Sequence, residues 1–224
     1  MKKIKFLLSA MNKTWSAHLF NFIVVLFSVI LAFWLNNRAV EKSLTEKKQN
    51  LLTILKESLE SDKASLDELI TFNLSRADSL ALLRDKLGSN EDIEAEQCLQ
   101  LSTYNFFAVD KSAFELIKYS DIVSIIKNSN LLFTVSSVYY TYDEDIETLQ
   151  EEYTLAFQRV IEPVLIKNFN MVNQEIDFDT RERIQFINRI YVLEDNLQNI
   201  IFGYKQGRDK IDIALKEIAI ELNE

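Results

Sequence analysis

The longest uninterrupted apolar stretch of the chain covers residues 19–35, with the sequence LFNFIVVLFSVILAFWL. It contains no charged residue, and its only polar side chains are Asn21 and Ser28. Seventeen helical residues reach about 26 Å, and the addition of residues 15–17 brings the length to that of a bilayer core of about 30 Å. The pattern therefore predicts a transmembrane helix over residues 15–36.

Aromatic and polar residues flank this stretch. The two tryptophans of the chain, Trp15 and Trp34, stand nineteen residues apart, about 28 Å along a helix. That distance suits the two interfacial belts in which Trp is enriched. His18, Asn36 and Asn37 stand at the ends of the apolar run. We expect these five residues to be membrane-interface anchors.

Two other structures produce a similar apolar run. A core helix that is apolar on all sides needs a larger protein around it than the rest of the chain supplies. A cleaved signal peptide would have a basic region of about eighteen residues, which is unusually long, and no small-x-small cleavage site follows it. The membrane anchor is therefore the favoured interpretation.

Charge changes where the apolar run ends. Residues 1–39 carry five basic residues and no acidic one, whereas the whole chain has a net charge of −9, so residues 40–224 sum to −14. Residues 1–14 form a basic N-terminal tail, and the Lys and Arg counts on the two sides of the helix are equal. The basic N-terminus resembles a signal anchor, and the acidic part has no positive excess to retain it. We predict a protein of the cytoplasmic (inner) membrane, with its N-terminus on the cytoplasmic side and, in a bacterium, residues 38–224 in the periplasm.

The segment from residue 37 to residue 224 reads as helix. No Gly or Pro occurs between residues 36 and 87. This predicts one helix that continues to a C-cap at Gly88. A break of that helix near residues 73–79 is the alternative. Short helices are expected over 92–101, 111–119 and 121–127. A longer helix follows Asn130 with Pro163 near its end, and a polar loop covers 168–177. The apolar positions on the helix after the membrane segment share spacings of three, four and seven: Val40, Leu44, Leu51, Leu55, Leu59, Leu66, Leu69, Leu80, Leu83 and Leu87.

The last helix has the most regular pattern. Asp179 and Glu182 form a capping box at its start. Glu194 and Arg208 interrupt its seam, where polar residues set the register or face solvent. Gly203 and Gly207 indicate either a close helix contact or a hinge. A coiled-coil-like helix-pairing seam with three-four spacing consists of Ile187, Ile190, Leu197, Ile201, Tyr204, Ile211, Leu215, Ile218 and Leu222.

These elements predict an all-α protein: one N-terminal transmembrane helix, followed by a long-helix antiparallel bundle with coiled-coil-like seams. One His and one Cys cannot form a His/Cys zinc site in a single chain, and three scattered Gly exclude the P-loop and the dinucleotide fingerprint. We therefore predict no catalytic, cofactor-binding or metal-binding residues. The acidic residues between 143 and 152 are interpreted as a solvated helix face, with a weak surface for cations or a basic partner as the alternative.

Two segments resemble a family of uncharacterised bacterial single-pass membrane proteins, known as a domain of unknown function. VILAFWLNN, residues 29–37, is similar to that family's I-A-x-x-I/L-N-N-W signature at the end of the membrane helix, with Arg38 in place of its Trp. AFELIKYSDIVSIIKNSNLLFTVSSVYY, residues 113–140, resembles its A-F-E-x-L…I-x-N-x-x-L…Y-Y region. The resemblance implies a single N-terminal anchor and a helical domain.

The combined pattern predicts a non-enzymatic, single-pass membrane protein whose helical domain mediates protein–protein contacts or self-association. The expected partners are the lipid bilayer and either a second copy or another membrane or periplasmic protein, and the acidic charge argues against nucleic acid. The alternative is an extracytoplasmic sensor or ligand-binding domain that signals through a partner. A membrane-bound enzyme that uses carboxylates and tyrosines is the third hypothesis.

Overall fold

The computed structural model describes the backbone of residues 2–170 and 175–223. It describes their side chains except for residues 2–18, 95, 99, 100 and 175. Helix accounts for nearly all of the regular structure in these residues, and two short strands account for the rest. The predicted all-α class is confirmed. The chain divides into two units, Met1–Asn50 and Leu51–Glu224, each described separately below.

The first helix, α1, extends over Lys2–Gly88 without a break. The prediction of one helix up to residue 88 is confirmed, and the break considered near residues 73–79 does not occur. The predicted C-cap at Gly88 is wrong. Asn90 has the positive φ of 56°, and the N–H of Glu91 donates to the carbonyl of Lys86 at 3.0 Å. This is a Schellman motif in which Asn90 takes the left-handed position that Gly most often occupies.

Short elements connect α1 to the rest of the bundle. They are α2 (Ala95–Leu99) with a 3₁₀ turn at Gln100–Ser102, α3 (Ser112–Lys118) and a 3₁₀ turn at Asp121–Ile125. The predicted helix over 111–119 is confirmed. The helix predicted over 92–101 begins three residues later, and the one predicted over 121–127 is a 3₁₀ turn.

Three helices then follow one another directly and are called the α4–α6 run. They are α4 (Ser129–Tyr140), α5 (Glu147–Ala156) and α6 (Glu162–Asn168), joined by π-helical turns at Thr141–Ile146 and Phe157–Ile161. The run confirms the long helix predicted after Asn130. Pro163 lies in the first turn of α6, where its missing N–H is tolerated.

The segment between the α4–α6 run and the last helix differs from the predicted polar loop. Strands β1 (Phe169–Asn170) and β2 (Glu175–Ile176) pair antiparallel, with Phe169 opposite Ile176. The last helix, α7, covers Thr180–Leu222. Its predicted capping box is confirmed, because Asp179 Oδ1 accepts from the N–H of Glu182 at 2.8 Å and the Glu182 carboxylate accepts from the N–H of Asp179.

The second unit is an antiparallel bundle whose core lies between residues 51–88 of α1, the α4–α6 run and α7. On α1 the inward positions follow a strict three-four alternation from Leu52 to Leu87. Three of these positions carry polar residues: Asp62, Asn73 and Arg76. The helix-pairing seam predicted on α7 lies inward throughout, and Ile190, Leu197, Tyr204, Ile211 and Ile218 form its most buried column.

A second column on α7 is as deeply buried as the predicted one. It repeats every seven residues and consists of Phe186, Leu193, Ile200, Gly207, Ala214 and Glu221. Among the other members of the predicted seam, Ile201 is buried as well, and Ile187, Leu215 and Leu222 are partly buried at the edge of the same face. The apolar face of α7 is therefore broader than a two-column coiled-coil seam, because two helices pack against it rather than one.

Candidate functional site

The apolar segment of α1 lies on the surface of the first unit. Every residue from 19 to 35 is exposed, and its large apolar residues range from 41% exposed for Ile23 to 68% for Phe27. Among the described residues, α1 is the one helix long and apolar enough to cross a membrane, with a mean hydropathy of 2.3 over its most apolar window. None of that window is buried in the structure. The segment thus has a composition typical of lipid contact, and none of the described residues covers it.

The predicted interface residues that the structure describes lie at the end of this segment. Trp34 is 53% exposed, and the guanidinium carbon of Arg38 lies 5.3 Å from the centroid of its ring, a cation–π arrangement. Asn36 and Asn37 are exposed as well. The side chains of Trp15, His18 and the basic tail over 1–14 lie outside the described residues.

Ser28 is the polar side chain nearest the centre of the segment, and its hydroxyl is satisfied within the helix. It donates to the carbonyl oxygen of Val24 at 2.8 Å. A hydroxyl bonded in this way needs no water partner, which lowers the cost of placing it in hydrocarbon.

A buried polar group occupies the centre of the second unit. We call Asp62, Tyr139 and Tyr142 the core acid cluster. Asp62 is 7% exposed, and each tyrosine is 3% exposed. Asp62 Oδ2 and both tyrosine hydroxyls have no hydrogen-bond partner among the described residues. Such groups are uncommon in protein interiors and call for a physical explanation.

Aromatic stacking fixes the two tyrosine rings of the cluster. Phe107 stacks on Tyr142 and Phe114 stacks on Tyr139, each with ring centroids 4.7 Å apart. Tyr142 belongs to the first π-helical turn, an element often found at functional sites. A Cβ atom added to Gly207 would lie 3.7 Å from the hydroxyl oxygen of Tyr142.

Charge and burial act together on the cluster. Burial raises the pKa of Asp62 to about 7, and the neighbouring negative charge of Asp110 contributes to that rise. Burial raises the pKa of Tyr139 and Tyr142 too, and the charge of Asp62 contributes to both shifts. The three groups are therefore close enough to interact electrostatically, and each is held toward its neutral form.

Two hydrogen-bonded polar networks lie in the second unit as well. Arg76 Nη2 donates to Tyr153 Oη at 2.6 Å and to the carbonyl of Leu101 at 2.8 Å. Tyr204 Oη accepts from Gln150 Nε2 at 2.9 Å and from the N–H of Phe107 at 3.2 Å. These bonds attach the segment between α2 and α3 to the helices.

The glycines of α7 mark a close helix contact. A Cβ atom on Gly203 would lie 2.8 Å from Leu149 Cδ1, and one on Gly207 would lie 3.0 Å from Ile146 Cδ1. Because α7 continues through both positions, the structure favours the close contact over the hinge.

The acidic residues between 143 and 152 lie on the surface of the α4–α6 run. Asp143 forms an ion pair with Lys111. Glu144, Asp145, Glu147, Glu151 and Glu152 are exposed, as expected of a solvated helix face. In the part of the chain that the structure describes, no group of three or more His, Cys, Asp or Glu side chains is placed to hold a metal ion.

No protein-family model matches this chain, and the comparisons with curated proteins and with solved structures found no match either. The resemblance to the bacterial membrane family therefore stays a prediction.

Sequence reasoning missed the core acid cluster. A signal for Asp62 was present, because the apolar spacing on α1 skips from Leu59 to Leu66 and position 62 is the inward slot between them. No comparable signal marks Tyr139 or Tyr142, since aromatic residues on an inward face are ordinary core residues.

Proposed function

We propose that the chain is a single-pass membrane protein anchored by residues 15–36, and that it is non-enzymatic. The observation that carries the anchor is the exposure of an apolar segment of bilayer length. A soluble core helix of this composition would be covered by protein.

The state of the one cysteine supports a non-enzymatic role. Cys98 is a poor nucleophile, because it is 0% exposed and burial raises its thiol pKa to about 12.

We place the N-terminus inside and residues 38–224 in the periplasm. Cys98 cannot report this orientation, because a buried thiol does not react with a bulky reagent. Tyr119, which is 79% exposed, offers a better position. In intact cells that produce the Tyr119→Cys variant, a membrane-impermeant maleimide should label the protein, while the parent chain with Cys98 alone stays unlabelled. Labelling of the variant only after lysis would reverse the proposed orientation.

The proposed role of the second unit is contact with another protein or with a second copy. The predicted seam on α7 is used within the bundle, so it is not available for this role. The outer side of α7 offers another surface: Ile184, Tyr191, Phe202, Ile213 and Ile220 are each at least half exposed. Their spacings of seven and eleven residues place them along one line of a helix.

Light scattering on the full chain in detergent tests this role. The variant Phe202→Glu/Ile213→Glu removes two apolar side chains from the outer line, and Lys205→Glu/Lys216→Glu is a control that changes exposed positions of the same helix. Self-association predicts an oligomer for the parent chain and the control, and a monomer for the first variant. A strictly monomeric parent chain with no co-purifying partner would contradict the proposal.

The alternative is a sensor or ligand-binding domain, and cavities in the second unit favour it. One cavity of about 350 Å³ is lined by Arg76, Glu94, Gln97 and their neighbours. Its volume lies within the range of small-molecule sites. Thermal stabilisation of the full chain by a small polar ligand, lost in Arg76→Met, would support this alternative.

A further inference from the structure

Asp62 stands at a position of α1 that otherwise faces the apolar core. The inward positions one turn before and after it are Leu59 and Leu66, both 0% exposed. A carboxylate at such a position needs donors or a cation, because transfer of an unpaired charge from water into a protein core is costly. Among the described residues, Oδ2 of Asp62 has no hydrogen-bond donor.

The cationic side chains of this part of the bundle are engaged elsewhere. Lys63 donates to Asp212 at 2.6 Å, Lys111 pairs with Asp143, and Lys210 donates to the hydroxyl of Thr141. None of these bonds goes to Asp62, so the carboxyl is not compensated by any of these lysines.

The titratable groups that act on the core acid cluster come from four parts of the bundle. Asp110 precedes α3 and is negative. Tyr139 lies in α4 and Tyr142 in the first π-helical turn, while Tyr204 of α7 acts on Tyr142. Negative charge and neutral phenols thus face Asp62. One proton would neutralise the buried carboxyl and remove the cost of an unpaired charge in the core.

We propose that Asp62 is a proton-binding site in the core of the bundle, occupied in the folded protein at low pH and emptied at high pH. This inference does not depend on the membrane anchor or on the proposed partners. The bundle then carries a built-in sensitivity to pH in the range in which Asp62 titrates.

The sign of the effect follows from proton linkage. A carboxyl with a raised pKa in the folded state binds its proton more tightly there than in the unfolded chain, so the proton stabilises the fold. The stabilisation is complete below the ordinary aspartate pKa of 3.8 and is lost as the pH rises through about 7. The amide introduced by Asp62→Asn would remain neutral throughout.

Thermal unfolding of the full chain in detergent between pH 4 and pH 8.5 tests the proposal. Relative to Asp62→Asn, the midpoint of the parent chain should fall by on the order of 10 °C across this range. Asp78→Asn, which changes an exposed carboxylate of the same helix, should retain the pH dependence of the parent chain. Equal pH dependence in Asp62→Asn and the parent chain would overturn the proposal.

A measurement on the parent chain alone covers the case in which Asp62→Asn fails to fold. Infrared difference spectra between pH 5 and pH 8.5 should show the carbonyl band of a buried protonated carboxyl at the lower pH and its loss at the higher pH. Absence of that band at pH 5 would show that Asp62 is ionised in the core, held for instance by a bound cation, and would refute a proton site.

Discussion

Lys63 of α1 and Asp212 of α7 form an ion pair with 2.6 Å between Nζ and Oδ1. Four residues further along α1, Asp67 pairs with Arg208 at 3.4 Å. Residue numbers rise on α1 as they fall by the same amount on α7, which is the signature of two antiparallel helices in fixed register. Arg208, which interrupts the predicted seam, is therefore a contact between helices of the bundle.

The third pair between these helices is the most enclosed. Arg84 Nη1 lies 2.5 Å from Glu194 Oε2, with the side chains 22% and 14% exposed, and Arg84 also stacks over the ring of Tyr191. Arg84→Met keeps the aliphatic stem and leaves Glu194 unpaired, so it should lower the free energy of unfolding by about 1.5–3 kcal/mol. Lys63→Met, at the more exposed pair, should change much less. Chemical denaturation of the two variants measures the difference, and equal losses would refute the ranking.

Two buried tyrosines provide a matched comparison of hydrogen bonding. Tyr204→Phe removes the acceptor of two donors, the Gln150 amide and the N–H of Phe107, and should cost about 1–3 kcal/mol of stability. Tyr142→Phe removes a hydroxyl without a partner among the described residues, so its stability should be unchanged or higher. The denaturation midpoints of the two variants decide this, and the prediction fails if Tyr142→Phe is the more destabilising.

The contact at Gly207 predicts a sharp dependence on side-chain size. Gly207→Leu would place its side chain against Ile146, Leu66 and the hydroxyl of Tyr142, and overpacking should cost about 1–3 kcal/mol despite the better helix propensity of Leu. Gln206→Leu introduces the same residue at the adjacent exposed position and should be neutral or slightly stabilising. Thermal melts of both variants test the contact; a neutral Gly207→Leu would mean that the helices are further apart.

The carboxylate of Glu221 fixes the start of the α4–α6 run. It is 1% exposed and accepts from the N–H groups of Lys127 at 3.1 Å and Asn128 at 2.7 Å. Glu221→Gln replaces one acceptor with a donor and should lower stability by about 1–3 kcal/mol. Glu217→Gln is the control, because Glu217 accepts from the side-chain amide of Asn128 and is partly exposed. Hydrogen exchange at residues 127–132 should accelerate in the first variant only, and unchanged exchange there would contradict this role.

The long helices could be predicted because their signals are local and repeated. Absence of Gly and Pro and a regular apolar spacing specify α1, and the Asp179–Glu182 capping box specifies the start of α7. The exact buried face of α7 was harder to predict from the sequence. Gly207, Ala214 and Glu221 are weakly hydrophobic or charged, yet they are buried because facing helices approach closely or supply hydrogen-bond donors.

The core acid cluster and the π-helical turns depend on tertiary structure. The spacing of α1 contains a gap at Asp62, but nothing local shows that Tyr139 and Tyr142 face it from another helix. The left-handed residue that ends α1 is similar. Gly88 and Asn90 both suit a C-cap, and the choice depends on where the chain must turn.

Alkaline extraction of cell membranes that contain the full chain tests the membrane anchor most directly. The parent chain and the control Leu74→Arg/Leu82→Arg should remain in the membrane pellet. Leu26→Arg/Ile30→Arg places two charges near the centre of the apolar segment, at a cost of about 2.5–3.5 kcal/mol each, and should release the protein. Release of the parent chain into the supernatant, to the same extent as the Leu26→Arg/Ile30→Arg variant, would contradict a transmembrane anchor.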